Sequence, residues 1–255
     1  MRPSAALRVL NAVNDPRSSA PTVAKLVELD PGLTAQMIRL ANSVYYRRSE
    51  PVGTVQSAIV VIGYRTVGAL AVLTALSSGH DQPMPAQFWD HSVAAAVAAS
   101  YIAPKLGGDS QAAFTAGMLH DVGHALLCRV EPEVYAELQS GIERGEENFA
   151  SEVATFGMDH AQAASLVLRS WAVPEEIVTA VEGHHKPLAG STPLGRATVA
   201  GDVLATLAWH PELVGHGPLR DRLVEAARIE PGEILLLVGR VGELIGRFTA
   251  GALVA

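Results

Sequence analysis

The residues with the clearest chemical potential in this sequence are histidines and aspartates. An adjacent pair, His120-Asp121, is followed one helical turn later by His124. Neutral imidazole and carboxylate together suit borderline divalent metals such as zinc, manganese or iron. Helix capping or a local ion pair would also explain a lone His-Asp pair. The pair alone therefore leaves both interpretations open.

Further candidate ligands at separate places in the chain favour the metal interpretation, because packed helices can bring distant side chains into one pocket. A first divalent metal site is predicted from His91, His120, Asp121 and Asp202. A second is predicted from His160, His184 and His185. If such a site is catalytic, Asp121 is its central residue, and His124 is a candidate acid that protonates a leaving oxygen.

Each prediction has a plainer alternative. The first set also suits a buried hydrogen-bond network without a metal, since buried polar groups must be paired. His160 follows Asp159, which can cap a helix, and His184-His185 fall in a polar segment where solvated histidines are common. His124 is also consistent with an additional metal ligand, and its plainer alternative is an ordinary core histidine.

The elements that must position these residues are predicted to be helices. Apolar residues make up 49% of the chain but aromatic residues only 5%, which favours helix packing over sheets. Pro31, Pro174 and Pro231 each stand where a helix can begin. Longer helices are predicted over residues 86–106 and 110–129, both apolar on more than one face, as in the centre of a bundle.

A polar break around residues 77–83 predicts a boundary between two groups of helices. Residues 1–78 are predicted to form a smaller N-terminal helical lobe, and residues 84–210 the core with the candidate ligands. Residues 211–255 are predicted to be helices that close the bundle. Their apolar stripes are also consistent with a homodimer surface.

Charge and cysteine content argue against several classes of protein. The formal net charge is -7 and the pI about 5.7, so nucleic-acid binding through phosphate neutralisation is not expected. The single Cys128 cannot form an internal disulfide, and the N-terminus lacks the apolar core of a signal peptide. A cytoplasmic location is therefore expected. No apolar stretch reaches the ~20 residues of a membrane helix, so no membrane span is expected.

The order of these motifs resembles a known family. His91, His120-Asp121 and Asp202 are similar to the ligand pattern of the HD superfamily of metal-dependent phosphohydrolases, and the other three histidines resemble ligands added in its HD-GYP branch. The closer resemblance, to about residue 210, is to the HDOD domain, an HD-related output domain of bacterial signalling proteins. It is carried by segments that include Asp30–Thr34, Ile38–Ser43, Ala113–Gly123, Phe156–His160 and Trp171–Glu175.

The resemblance implies an all-α, HD-like bundle with a smaller N-terminal lobe. It implies a regulatory signalling module that acts through a partner protein, since many members of the family lack some or all of the metal ligands. The ligands present in this sequence instead predict one or two divalent ions of iron, manganese, zinc or nickel. A metal-dependent phosphohydrolase, in which Asp121 bridges two ions and the ligand is a phosphoester or nucleotide, is the alternative. A metal-free interaction scaffold is a second. Cyclic di-GMP hydrolysis is not expected, because Lys186-Pro187-Leu188 stands in place of the GYP loop.

Overall fold

The computed structural model describes residues 5–43, 45–46, 51–77, 86–135, 149–215 and 217–253, and these residues form helices and turns without a strand. The first helices are α1 (Ala5–Asn14), α2 (Ala20–Val27), α3 (Pro31–Asn42) and α4 (Val55–Ser77). They are followed by α5 (Ala86–Ile102), α6 (Ser110–Leu119), α7 (Val122–Val130), α8 (Phe149–Phe156), α9 (His160–Ser170), α10 (Glu175–Glu182) and α11 (Pro193–Trp209). The last two are α12 (Gly217–Ala227) and α13 (Ile234–Leu253). The all-helical prediction is confirmed.

Helices begin at or next to the three prolines, as predicted. Proline is tolerated there because its missing N–H would have no partner within the helix. Pro31 is the first residue of α3, Pro174 immediately precedes α10, and Pro231 opens a 3-10 turn that leads into α13. At α3 the Asp30 carboxylate also accepts a hydrogen bond from the backbone N–H of Leu33 at 3.0 Å. This bond satisfies a backbone donor that has no partner within the helix.

Helix α5 lies at the centre of the core, between α6 and α11. Its alanines at positions 94–99 are fully buried together with Val97, and glycines on both neighbours let the backbones approach closely. A Cβ on Gly117 of α6 would lie 2.8 Å from the carbonyl oxygen of Ala95, and one on Gly201 of α11 would lie 2.7 Å from the same oxygen. A larger residue at either position would force the helices apart.

The single helix predicted over residues 110–129 is wrong. Helix α6 ends at Leu119, α7 begins at Val122, and Asp121 between them has a non-helical backbone (φ -98°, ψ 9°). Directly after the turn, Gly123 in the first turn of α7 packs against the start of α9, where a Cβ would lie 1.8 Å from the carbonyl oxygen of His160. Because only glycine allows this approach, the turn fixes two candidate ligand segments against each other.

The remaining helices enclose this core. Helix α4 packs against α1, α2, α3 and α6, and α13 packs against α11, α5 and α3. The boundary predicted around residues 77–83 falls almost entirely outside the described residues. One apolar stretch is longer than expected from the sequence. Among the described residues, Val55–Leu76 of α4 reaches the length and hydropathy of a membrane span, which corrects the expectation that no stretch does, but 67% of its most apolar window is buried against the other helices.

Candidate metal centre

The seven predicted ligands converge on one pocket from five places in the fold. Helices α5 and α11 supply His91 and Asp202, and the α6–α7 turn supplies His120 and Asp121. His160 is the first residue of α9, and His184-His185 lie in the turn that follows α10. Their donor atoms form two groups, in each of which the atoms lie within 4.8 Å of one another.

The first group is built on the close packing of α5. The Nε2 atom of His91 lies 3.2 Å from Asp202 Oδ1 and 3.3 Å from His120 Nε2. Asp121 Oδ2 lies 3.1 Å from His120 Nε2 and 3.6 Å from His91 Nε2. Donors bound to a single cation at 2.0–2.2 Å are separated by about 3 to 3.5 Å, so His91, His120 and Asp202 have the spacing of a ligand set. Asp121 Oδ2 approaches the two imidazoles of this set.

The second group faces the other oxygen of the same aspartate. Asp121 Oδ1 lies 3.5 Å from His184 Nε2 and 3.7 Å from His160 Nε2. The Nε2 atoms of His160 and His185 are 3.1 Å apart. Asp121 thus presents one carboxylate oxygen to each group, which is the arrangement of a bridging carboxylate.

Hydrogen bonds fix which ring nitrogen is available as a ligand in three of the histidines. A carbonyl oxygen only accepts, so Nδ1 of His120 donates to Gly117 O at 2.7 Å and Nδ1 of His184 donates to Val181 O at 2.6 Å. Nδ1 of His160 bonds to a carboxylate oxygen of Glu152 at 2.8 Å. In the neutral rings the lone pair therefore lies on Nε2, which faces Asp121 in each case.

One candidate ligand atom makes no hydrogen bond to the described residues. Nε2 of His184 is fully buried, and its approach to Asp121 Oδ1 at 3.5 Å is too loose to satisfy it, which is costly for a buried polar atom unless a ligand completes it. The centre is nevertheless open on one side, because the side chains of His91, Asp121 and Asp202 remain 25%, 16% and 18% exposed. The donor set thus fits divalent cations and leaves access for water and a further ligand.

Charge in the first group also favours a cation. Burial disfavours the ionised forms, but His120 between the two carboxylates holds the pKa of Asp121 and of Asp202 well below its usual range. The same carboxylates outweigh burial at His120 and raise its pKa well above its usual value. The two carboxylates therefore stabilise a positive charge between them, which is the proton on His120 when no metal is bound. A divalent cation carries more charge than this proton and would be attracted more strongly.

Two imidazole rings of the second group, His160 and His185, are held neutral by burial. Burial lowers the pKa of His160 to about 4, and it lowers the pKa of His185 well below its usual value. Neutral imidazole is the form that binds metals. These rings are therefore in the ligand-competent state at pH 7.

His124 lies at the edge of the second group. Its Nε2 is 3.8 Å from Asp121 Oδ1, its ring stacks on His160 with centroids 3.8 Å apart, and its Nδ1 is hydrogen-bonded to Tyr135 Oη. Burial lowers the pKa of His124 to about 3. A neutral ring in this position can hold or pass a proton beside Asp121, so the role of an acid stays a prediction.

Sequence reasoning missed residues that support the site, among them Glu152 and Arg222. Glu152 is an acidic residue in a charged stretch, and no spacing sets it apart, yet it is buried behind His160. Arg222 of α12 donates a hydrogen bond to the carbonyl oxygen of His184 at 2.5 Å, although the segment after Gly215 carries no sequence signal of chemistry. The polar segment predicted at His184-His185 is a turn in which His184 is fully buried.

Comparison with known protein families gives a match over most of the chain. The family described as HDOD domain matches residues 1–187. The chain belongs to the HDOD domain family. This match confirms the resemblance of the motifs, and the segment with Arg222 lies beyond it. No protein of curated function gives a significant match.

Solved structures of similar fold include one named as an HDOD domain protein and two named as phosphohydrolases. A "Putative phosphohydrolase" from Shewanella amazonensis has a TM-score of 0.74 at 23% identity, over 99% of this chain and 94% of its own. An HDOD domain protein with unknown function from Geobacter sulfurreducens has a TM-score of 0.62 at 21% identity, over 96% and 92% of the two chains. A "Putative metal-dependent phosphohydrolase" from Shewanella amazonensis has a TM-score of 0.57 at 20% identity, over 96% and 91%. At these identities the similarity establishes the fold.

Proposed function

We propose that this HDOD protein is a signalling module whose core holds a dinuclear divalent metal centre. The observation that carries the proposal is the placement of Asp121, whose two carboxylate oxygens each face a separate group of imidazole and carboxylate donors. In this proposal His91, His120 and Asp202 bind one ion, and His160, His184 and His185 bind the other. Imidazole with carboxylate favours iron, manganese, zinc or nickel over calcium and magnesium.

A second candidate function is hydrolysis of a phosphoester, and the partial exposure of His91, Asp121 and Asp202 favours it. The chemistry that two bound cations supply at such a site is activation of water near neutral pH and neutralisation of a phosphoryl group. The chain contributes the neutral ring of His124, which lies beside Asp121 and could accept the proton that the attacking water loses and pass it to the leaving oxygen. One similar fold carries the name of a metal-dependent phosphohydrolase, which is consistent with this candidate.

The test is the metal content of protein purified without a metal-affinity tag. We expect two ions per chain in the wild type and a loss of both in Asp121→Asn, because the amide removes the shared charge. Asp90→Asn, on α5 next to His91, is the matched control and should keep both ions. A wild-type protein that retains no ion after incubation with zinc, manganese or iron would refute the dinuclear centre.

The hydrolytic candidate needs a separate assay. Metal-loaded wild type is expected to cleave a generic phosphodiester or a nucleotide faster than Asp121→Asn, and His124→Gln should lower the rate while it keeps the ions. If the loaded protein cleaves none of these substrates above the Asp121→Asn level, the metal centre is structural or regulatory. The regulatory partner protein and the homodimer stay predictions.

A further inference from the structure

Glu152 of α8 is a carboxylate buried directly behind the candidate centre. Only 1% of the residue is exposed, and burial raises its pKa. Its Oε2 accepts two hydrogen bonds from His160, one from the backbone N–H and one from the ring Nδ1–H, each at 2.8 Å. Its Oε1 lies 3.5 Å from Nδ1 of His124.

A buried carboxylate is costly to folding unless hydrogen bonds replace those it made with water. Among the described residues, two histidine rings face Glu152, and the far nitrogen of each ring faces Asp121. Nε2 of His160 lies 3.7 Å and Nε2 of His124 lies 3.8 Å from Asp121 Oδ1. The carboxylate is therefore separated from the second ion position by one imidazole ring.

We propose that Glu152 is a positioning residue for the second ion. It keeps the proton of His160 on Nδ1 and fixes the plane of the ring, so that the Nε2 lone pair points at the ion. A carboxylate bonded to the far side of an imidazole also makes that ring a stronger ligand. This inference rests on the proposed dinuclear centre, and it adds a determinant of affinity outside the seven ligands.

His124, Glu152 and His160 also lie close enough together to form a ligand set of their own. The hydrogen bonds argue against that use. Nδ1 of His160 carries the proton that Glu152 accepts, and Nδ1 of His124 is engaged by Tyr135 Oη. Neither nitrogen offers a free lone pair to a third cation.

The experiment compares metal binding by wild type and Glu152→Gln. The glutamine amide oxygen can still accept from both N–H groups of His160, so the variant removes charge while it keeps the hydrogen-bond geometry. Calorimetric titration of metal-free protein with zinc or manganese is expected to show a loss of about 10–100-fold in affinity for one of two ions. The other ion should bind as in wild type. Glu175→Gln, an exposed glutamate of α10, is the control for charge loss.

The free energy of unfolding of the metal-free protein separates positioning from a general folding role. We expect Glu152→Gln to keep or exceed the stability of wild type, because an amide is easier to bury than a carboxylate. If Glu152→Gln binds both ions equally more weakly and is also less stable than wild type, the proposal is overturned in favour of a folding role. Unchanged affinity for both ions would overturn it while leaving the dinuclear centre intact.

Two further outcomes are decisive. A third ion in wild type that disappears in Glu152→Gln would make Glu152 a ligand and overturn the proposal. A wild type that binds no ion would overturn it together with the dinuclear centre.

If the variant does not fold, ¹⁵N chemical shifts of the wild-type His160 ring provide the test. Protonated Nδ1 and an Nε2 that shifts on metal addition support the proposal, and protonated Nε2 overturns it.

Discussion

At the scale of single residues, His160 joins folding to ligand chemistry. Its backbone begins α9 beneath the Asp159 cap, while its ring lies between Glu152 and Asp121. The ring is 4% exposed, so the folded protein holds it neutral at a pH where a solvated histidine would already be charged. That difference in protonation has a measurable consequence for stability.

We predict that the metal-free protein loses stability on acidification partly through His160. The unfolded chain binds a proton at this residue below its usual pKa of 6.5, but the folded protein does so only near pH 4. The free energy of unfolding therefore falls between pH 6.5 and 4, by up to about 1.4 kcal/mol per pH unit for one proton. The free energy of unfolding can be measured by urea titration at several pH values in this range. Plotted against pH, it should change less steeply in His160→Gln than in wild type.

The exposed histidine His210 provides the comparison for this experiment. His210→Gln removes a histidine whose side chain is 57% exposed, and it is the control for the loss of one imidazole outside the centre. A His160→Gln slope identical to that of wild type would contradict the prediction, because it would mean that the ring is charged in the folded protein.

The ligands themselves could be recognised in the sequence because residue type and order are the signal for a metal. Glu152 could not be recognised in the sequence, because its role depends on its burial and on its contact with the His160 ring. The same holds for Tyr135, whose hydroxyl meets His124 through packing that no local pattern encodes. Sequence therefore revealed the groups that would touch an ion, and the structure adds those that orient them.

At the scale of elements, the centre depends on how closely three helices approach. Gly201 precedes the ligand Asp202, and Gly117 lies three residues before His120, while both glycines pack against Ala95, one turn after His91. The small residues that bring the helices together are thus within a turn of the ligands of the first group. Any separation of the helices would separate these ligands as well.

We predict that Gly201→Ala lowers both stability and first-site metal affinity. The added Cβ would lie 2.7 Å from Ala95 O and 2.7 Å from Ala99 Cβ. Overpacking of this kind costs about 1–3 kcal/mol, against a gain of at most about 1 kcal/mol from the better helix propensity of alanine. Chemical unfolding of metal-free protein and metal titration measure the two effects.

Gly239 of α13 offers the matched control. It lies within a helix and a Cβ there would meet nothing within 4 Å, so Gly239→Ala should raise stability by up to about 1 kcal/mol. If Gly201→Ala also raises stability and leaves metal affinity unchanged, the first metal site does not depend on the close approach of α5 and α11.

The break between α6 and α7 is the element that sequence periodicity failed to predict. Residues 110–129 are apolar on several faces, so periodicity cannot distinguish one helix from two. The turn is imposed by tertiary contacts, since Gly123 must approach the backbone of His160. The role of Arg222 also depends on a tertiary contact that local sequence does not predict. Its hydrogen bond to the carbonyl oxygen of His184 joins α12 to a turn thirty-eight residues earlier.

At the scale of the whole molecule, the centre joins helices that are far apart in the chain. Its ligands come from α5, the α6–α7 turn, α9, the turn after α10, and α11. An ion bound among them would connect these elements only in the folded state, because the unfolded chain cannot hold the ligands together. The binding free energy would then contribute directly to the stability of the fold.

We therefore predict that chelation lowers the melting temperature of the purified protein. At a free metal concentration one hundred times the Kd, a bound ion stabilises the folded state by about 2.7 kcal/mol. For a domain of this size that corresponds to a shift of about 5–10 °C. Thermal unfolding before and after chelator treatment should show this shift, and added zinc or manganese should reverse it in proportion to the logarithm of concentration.

Asp121→Asn separates this effect from a direct action of the chelator. The variant lacks the shared carboxylate, so its melting temperature should respond neither to chelator nor to added metal. A chelator shift of equal size in Asp121→Asn and wild type would place the stabilising ion elsewhere. A wild type whose melting temperature is independent of metal would mean that the converging imidazoles and carboxylates are held by hydrogen bonds alone, as in a metal-free interaction scaffold.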